Sequence, residues 1–132
     1  IAALVLLELA AMAWRMPRKR PERFRRRLRE LLEVLSRPEL HEAHAETSPQ
    51  VGLAAAMLDD WRAIERERRR LEPETLSNEE IVAIDDLARV VAHLRPSLER
   101  LAEAPVRQLE QEEPWRLLVA AARRARQALP TP

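Results

Sequence analysis

"LSNEEI", residues 76–81, spells out a helix start in side chains. Ser77 stands where an N-cap belongs and Glu80 follows three residues later. At that spacing the hydroxyl can accept from the backbone N–H of Glu80 while the carboxylate returns to the N–H of Ser77, a capping box. Leu76 and Ile81 occupy the two positions of a hydrophobic staple around it. The helix so begun runs to about Leu94. Pro96 then falls inside a continuing periodic run, where a kink or break is expected, because proline lacks the N–H and crowds the preceding turn.

The same grammar recurs on both sides of this stretch. In "LSRPEL", residues 35–40, Ser36 is the expected N-cap of a short helix, with Glu39 completing a box and Leu35 and Leu40 as staple. In "TSPQ", residues 47–50, Ser48 is the expected cap and Pro49 the first helical residue of a long helix. Its apolar stripe reads Val51, Ala54, Leu58, Trp61, Ile64 and Leu71, and it ends before "EPET". Upstream, Pro21 opens a helix with Phe24, Leu28, Leu31 and Leu35 on one side and arginines opposite. Residues 1 to about 16 form a further helix, joined to it by "MPRKRP". Downstream, Pro105 marks a short segment. Pro114 opens a last helix in which Trp115, Leu118, Ala122, Ala125 and Leu129 share a face. No run alternates with period two, so no strand is expected. The expectation is a single all-α domain over residues 1–132, a compact helical bundle of five main helices plus two or three short ones.

Composition agrees and narrows the chemistry. With 46% hydrophobic and 34% charged residues, the balance is that of a globular protein able to bury a core. The absence of Cys removes disulfides, thiolate nucleophiles and thiolate metal ligands. A single glycine, Gly52, against ten prolines means few backbone positions can require positive φ, and it excludes a glycine-rich phosphate loop. No nucleophile elbow is present. Net charge is +1, too small for a global field that recruits nucleic acid.

In manner, the sequence resembles a computationally designed helical protein. The residues behind this are "LSRPEL", "LSNEEI", the lone Gly52, the missing Cys and the alanine-rich packing faces. The resemblance implies a regular, stable helical body. One departure is the dominance of arginine: Lys19 is the sole lysine among the 23 Lys and Arg.

Three places could carry chemistry. In "IAALVLLELAAMAW", residues 1–14, Glu8 is the one polar residue. On a helical wheel it shares a side with Ile1, Leu4, Met12 and Arg15. It either reaches the surface or an arginine, or it is held in an apolar pocket with a raised pKa as a general base, with Trp14, Trp61 or Trp115 stacked on a small apolar or aromatic ligand. "HEAH" places His41 and His44 at i and i+3, a spacing that could share a metal. It lacks a third ligand unless His93 or a carboxylate supplies one. These two histidines are expected at the surface, as is His93 on a solvated face with Glu79, Asp86 and Arg89. No cofactor is expected.

The third place is the block 15–29, "RMPRKRPERFRRRLR". It holds nine basic residues and one acid, among them Arg15, Arg18, Lys19, Arg20, Arg25, Arg26 and Arg27. It could bind phosphate or anionic lipid. The expectation is instead that it covers a helix and pairs with the rest of the chain, which is net negative. Only Phe24 interleaves, so no base-stacking platform forms. The apolar stretch before the block is shorter than the roughly 20 residues of a membrane span. If further residues precede Ile1 it reads as the end of such a span, with the arginines on the cytoplasmic side; Glu8 counts against this. The expected function is a non-enzymatic helical scaffold or binding module, with no strong case for nucleic acid or membrane. A soluble body is expected, cytoplasmic in recombinant expression; nothing in the sequence sets the oligomeric state.

Overall fold

The computed structural model describes residues 21–47 and 51–130. The described chain is helical, with no strand. Helix α1 covers 21–36. A 3-10 turn at Pro38–Leu40 leads into α2 (His41–Thr47) and then α3 (Leu53–Arg70). A second 3-10 turn, Pro73–Thr75, precedes α4 (Asn78–Arg100); α5 (Val106–Gln111) and α6 (Glu113–Ala128) complete the chain. No described residue has positive φ, as the scarcity of glycine requires.

The core is assembled from the periodic stripes. Phe24, Leu28, Leu31 and Leu35 of α1 are all buried, as are Ala54, Leu58, Trp61 and Ile64 of α3. On α6, Trp115, Leu118, Ala122 and Ala125 are buried, and Leu129 packs partly against them. Helices α4 and α6 share the most extensive pairing among α2 to α6. The residues explain it: Ala83 on α4 and Ala121, Ala122 and Ala125 on α6 are buried, and small side chains let two helix backbones approach closely.

Helix ends hold the agreements and the corrections. The capping box at Ser77 is formed in both directions: Glu80 N–H donates to Ser77 Oγ at 3.1 Å and Ser77 N–H to Glu80 Oε1 at 3.0 Å. The box expected at Ser36 is not. Ser36 is instead the last residue of α1, and the cap position before the 3-10 turn is Arg37, with no side-chain cap bond. Pro38 is the cause. It pushes the residue before it toward extended backbone, and Arg37 is extended, with φ −118° and ψ 98°. The end of α1 is then capped from outside. His41 Nε2–H donates to the Leu35 carbonyl at 3.2 Å, Arg123 Nε donates to the Ser36 carbonyl at 3.1 Å, and Arg126 Nη1 to Ser36 Oγ at 3.3 Å.

Two further expectations are corrected. Helix α3 begins at Leu53, with Gly52 as its cap; Ser48 and Pro49 lie outside the described residues, and Val51, placed in the apolar stripe by periodicity, is 44% exposed. The expected break at Pro96 does not occur, and α4 continues to Arg100. Proline leaves the carbonyl four residues earlier, on Ala92, without its helical donor. Ala92 and Pro96 are both exposed, so water can take that bond.

Candidate functional site

Glu8, Trp14, Arg15, Arg18, Lys19 and Arg20 lie outside the described residues. The remaining sequence candidates fall in four settings.

The described part of the basic block lies on α1, where several of its arginines pair with carboxylates of other helices. Arg25 forks onto Glu80, with Nε to Oε2 at 2.8 Å and Nη2 to Oε1 at 3.0 Å, and also donates to the Thr75 carbonyl at 2.7 Å. This hydrogen-bonded cation holds the Glu80 carboxyl below its usual range; burial opposes, and the Ser77 N–H adds to the lowering. The same bond raises the Arg25 guanidinium further. Arg27 and Arg23 share Glu67 at 3.3 and 3.7 Å. Arg26 is exposed.

The two described tryptophans, Trp61 and Trp115, are core residues. Trp61 is 3% and Trp115 1% exposed, and neither indole N–H has a partner among the described residues. Burial of these rings inside the helix packing leaves no open face of Trp61 for a flat ligand.

His41 corrects the expected surface placement: it is 1% exposed. Its neighbour Leu40 ends a 3-10 turn, so α2 is rotated to place His41 inward, under the end of α1. Its ring meets Trp115 edge to face, centroids 5.3 Å apart. Because a carbonyl can only accept, Nε2 carries the proton in the bond to Leu35, and Nδ1 of the neutral ring is a bare lone pair. That atom is buried and has no partner among the described residues. His41 and Trp115 form part of the wall of a surface groove of about 440 Å³, completed by Pro38, Glu110, Arg116, Val119, Ala120 and Arg123. Two residues named separately in the sequence, His41 and Trp115, thus line one groove.

His44, half-buried, opens on the other side of α2. It lines a cleft of about 300 Å³ between α1, α2 and α3, with Arg27, Glu30 and Asp60 over a floor that includes Leu31, Met57 and Ile64. Desolvation in this cleft raises the Asp60 carboxyl; His44 and Arg27 pull it down and Asp59 pushes it up. His41 and His44 line different clefts. Among the described residues no three His, Asp or Glu side chains are placed to hold a metal ion. His93 is exposed.

Sequence reasoning missed Asp60, Glu110, Arg116 and Arg123. None breaks the pattern of its helix; Arg123 reaches the groove through the packing of α6 under the end of α1, and Arg116 through the turn from α5 into α6. Among the described residues no helix is long and apolar enough to cross a membrane. Compared with models of known families, with curated proteins and with solved structures, the chain matches none.

Proposed function

We propose that the protein is a non-enzymatic helical scaffold or binding module that acts through its surface. One observation carries this reading: several of the described side chains best equipped for chemistry, Arg25, Glu80, His41 and Arg123 among them, are engaged in holding the fold. The Arg25 fork joins α1 to the cap of α4 through Glu80 and Thr75. His41 and Arg123 close the end of α1. Trp61 and Trp115 fill the core. Clefts beside α2 remain as places where a partner could sit, which favours binding over turnover.

The competing reading is a base catalyst built around Glu8. It is tested by proton abstraction from an activated carbon acid such as a benzisoxazole, followed by absorbance across pH. The expected result for the scaffold reading is a rate equal to buffer, unchanged by Glu8→Gln. A rate above buffer that disappears in Glu8→Gln, with a pH midpoint above the ordinary Glu value of about 4.3, would make the protein an enzyme.

A further inference from the structure

We propose that the groove between the Pro38–Leu40 turn, α2, α5 and α6 is a binding site for a small hydroxy-carboxylate with a flat apolar body. The proposal deepens the binding-module reading and rests on it.

The polar atoms around the groove set the ligand's chemistry. Arg116 is tethered by Nε to the Glu110 carbonyl at 2.9 Å and by Nη2 to the Gln111 carbonyl at 3.1 Å. Arg123 is tethered by Nε to the Ser36 carbonyl at 3.1 Å. Neither makes an ion pair with a carboxylate among the described residues. A guanidinium is a planar fork with five N–H donors, so each keeps N–H groups for a ligand after its backbone bonds are made. Tethering also means little side-chain entropy is lost when a carboxylate docks. Among the described residues, Trp115 adds a buried N–H without a partner, and His41 Nδ1 a buried lone pair without a donor. Unpartnered buried polar atoms are rare in folded proteins and call for a reason. A ligand that presents acceptor oxygens beside a hydroxyl matches both. The hydroxyl can donate to His41 Nδ1 or to Glu110, whose carboxylate would repel a second anionic group. Pro38, Val119 and Ala120 offer the apolar wall. The volume of about 440 Å³ lies in the range of small-molecule sites. Both atoms are buried, on residues that line the groove, so contact requires a side-chain adjustment of the kind common on binding.

The charge is modest. Each guanidinium rests on carbonyls at the C-terminal end of another helix, α5 for Arg116 and α1 for Arg123, whose partial negative charge offsets part of its own. Hydrogen-bond matching rather than field strength therefore selects the ligand, and affinity falls only mildly with salt.

Mandelate carries the required phenyl, hydroxyl and carboxylate. The test is a titration of the full chain with mandelate, phenylacetate (no hydroxyl) and benzyl alcohol (no carboxylate), observed through the indole N–H resonances, with Trp115 identified by Trp115→Phe. The expected result is a saturable shift of the Trp115 resonance with mandelate, at least fivefold weaker binding of phenylacetate, and none of benzyl alcohol. Ala120→Phe fills the groove and should abolish binding while the helical circular dichroism and melt stay unchanged. Arg116→Gln should weaken it about tenfold. Absence of a saturable shift, equal affinity for phenylacetate and mandelate, or undiminished binding by a folded Ala120→Phe variant would overturn the proposal. None of these outcomes bears on the proton-abstraction test, so the site can fail while the non-enzymatic reading stands.

Discussion

Gly52 shows how a single residue can be required for a reason the sequence conceals. Its backbone, at φ −61° and ψ 152°, suits any amino acid. At such a site Gly→Ala ordinarily stabilises by about 0.4–1 kcal/mol, because the unfolded chain loses freedom. Here a Cβ would sit 1.8 Å from the carbonyl oxygen of Ala102 and 2.8 Å from the Cα of Glu103, so the start of α3 is pressed against the backbone after α4. Backbone cannot rotate aside as a side chain can. Gly52→Ala is therefore expected to destabilise by about 1–3 kcal/mol, the cost of overpacking a close contact. A urea titration measures it, and a midpoint at or above that of the parent would show that the approach is looser than the geometry states. The sequence flagged Gly52 only by rarity; that its role is close approach, not positive φ, needed Ala102 in place. Asp60 is similar. It follows Asp59 without any periodic anomaly, and its carboxyl is raised by desolvation in the cleft, against the pull of His44 on α2 and Arg27 on α1.

At the scale of the element, two identical-looking signals separate. "LSNEEI" acts as written, with both bonds of the box present. "LSRPEL" does not, because Pro38 enforces an extended Arg37 and a 3-10 turn too short to use Ser36 as its cap. Local signals are reliable where the following residues are free to be helical; a proline two positions on changes the answer. Ser77→Ala should thus cost about 1 kcal/mol, the usual value of a lost N-cap. Ser36→Ala removes the acceptor for Arg126 and should stay within about 0.5 kcal/mol. Parallel urea curves compare them, and equal losses would show that Ser36 is an N-cap after all. Apolar stripes were legible in the same way: α1 and α6 bury the residues their periodicity names, whereas Val51 lies before α3 starts and is exposed. His41 was not legible. Its burial depends on the angle at which α2 leaves the 3-10 turn and on Trp115, which is distant in sequence.

For the whole molecule, the Arg25–Glu80 fork ties three parts together: α1, the Thr75 turn and the cap of α4. Its sign with pH follows from Glu80. The folded carboxyl titrates below its ordinary range, so the unfolded chain takes up this proton first. The bond therefore contributes stability at neutral pH, and that contribution is lost as pH falls from the ordinary range through the folded value. Asp60 has the opposite sign. Its folded carboxyl is raised, so its ionised form costs stability at neutral pH and acid relieves the cost. Being exposed, it is the smaller effect. The net expectation is a fold that weakens toward acid through Glu80. Glu80→Gln keeps the shape of the cap but removes the charge that Arg25 grips. It should lower stability at pH 7 by about 1.5–3 kcal/mol, the range for hydrogen bonds to a charged group. It should also flatten the acid limb, because the titrating group is gone. Melting followed by circular dichroism from pH 7 to pH 3 measures both. For the parent, capped helices nearly free of glycine and rich in proline predict a cooperative melt at pH 7 above the mesophile range of about 45–65 °C, since the unfolded chain has less entropy to regain. A parent melt inside that range would remove the support that the designed-like manner of the sequence draws from stability. An acid limb as steep in Glu80→Gln as in the parent would place the titrating group elsewhere than the fork.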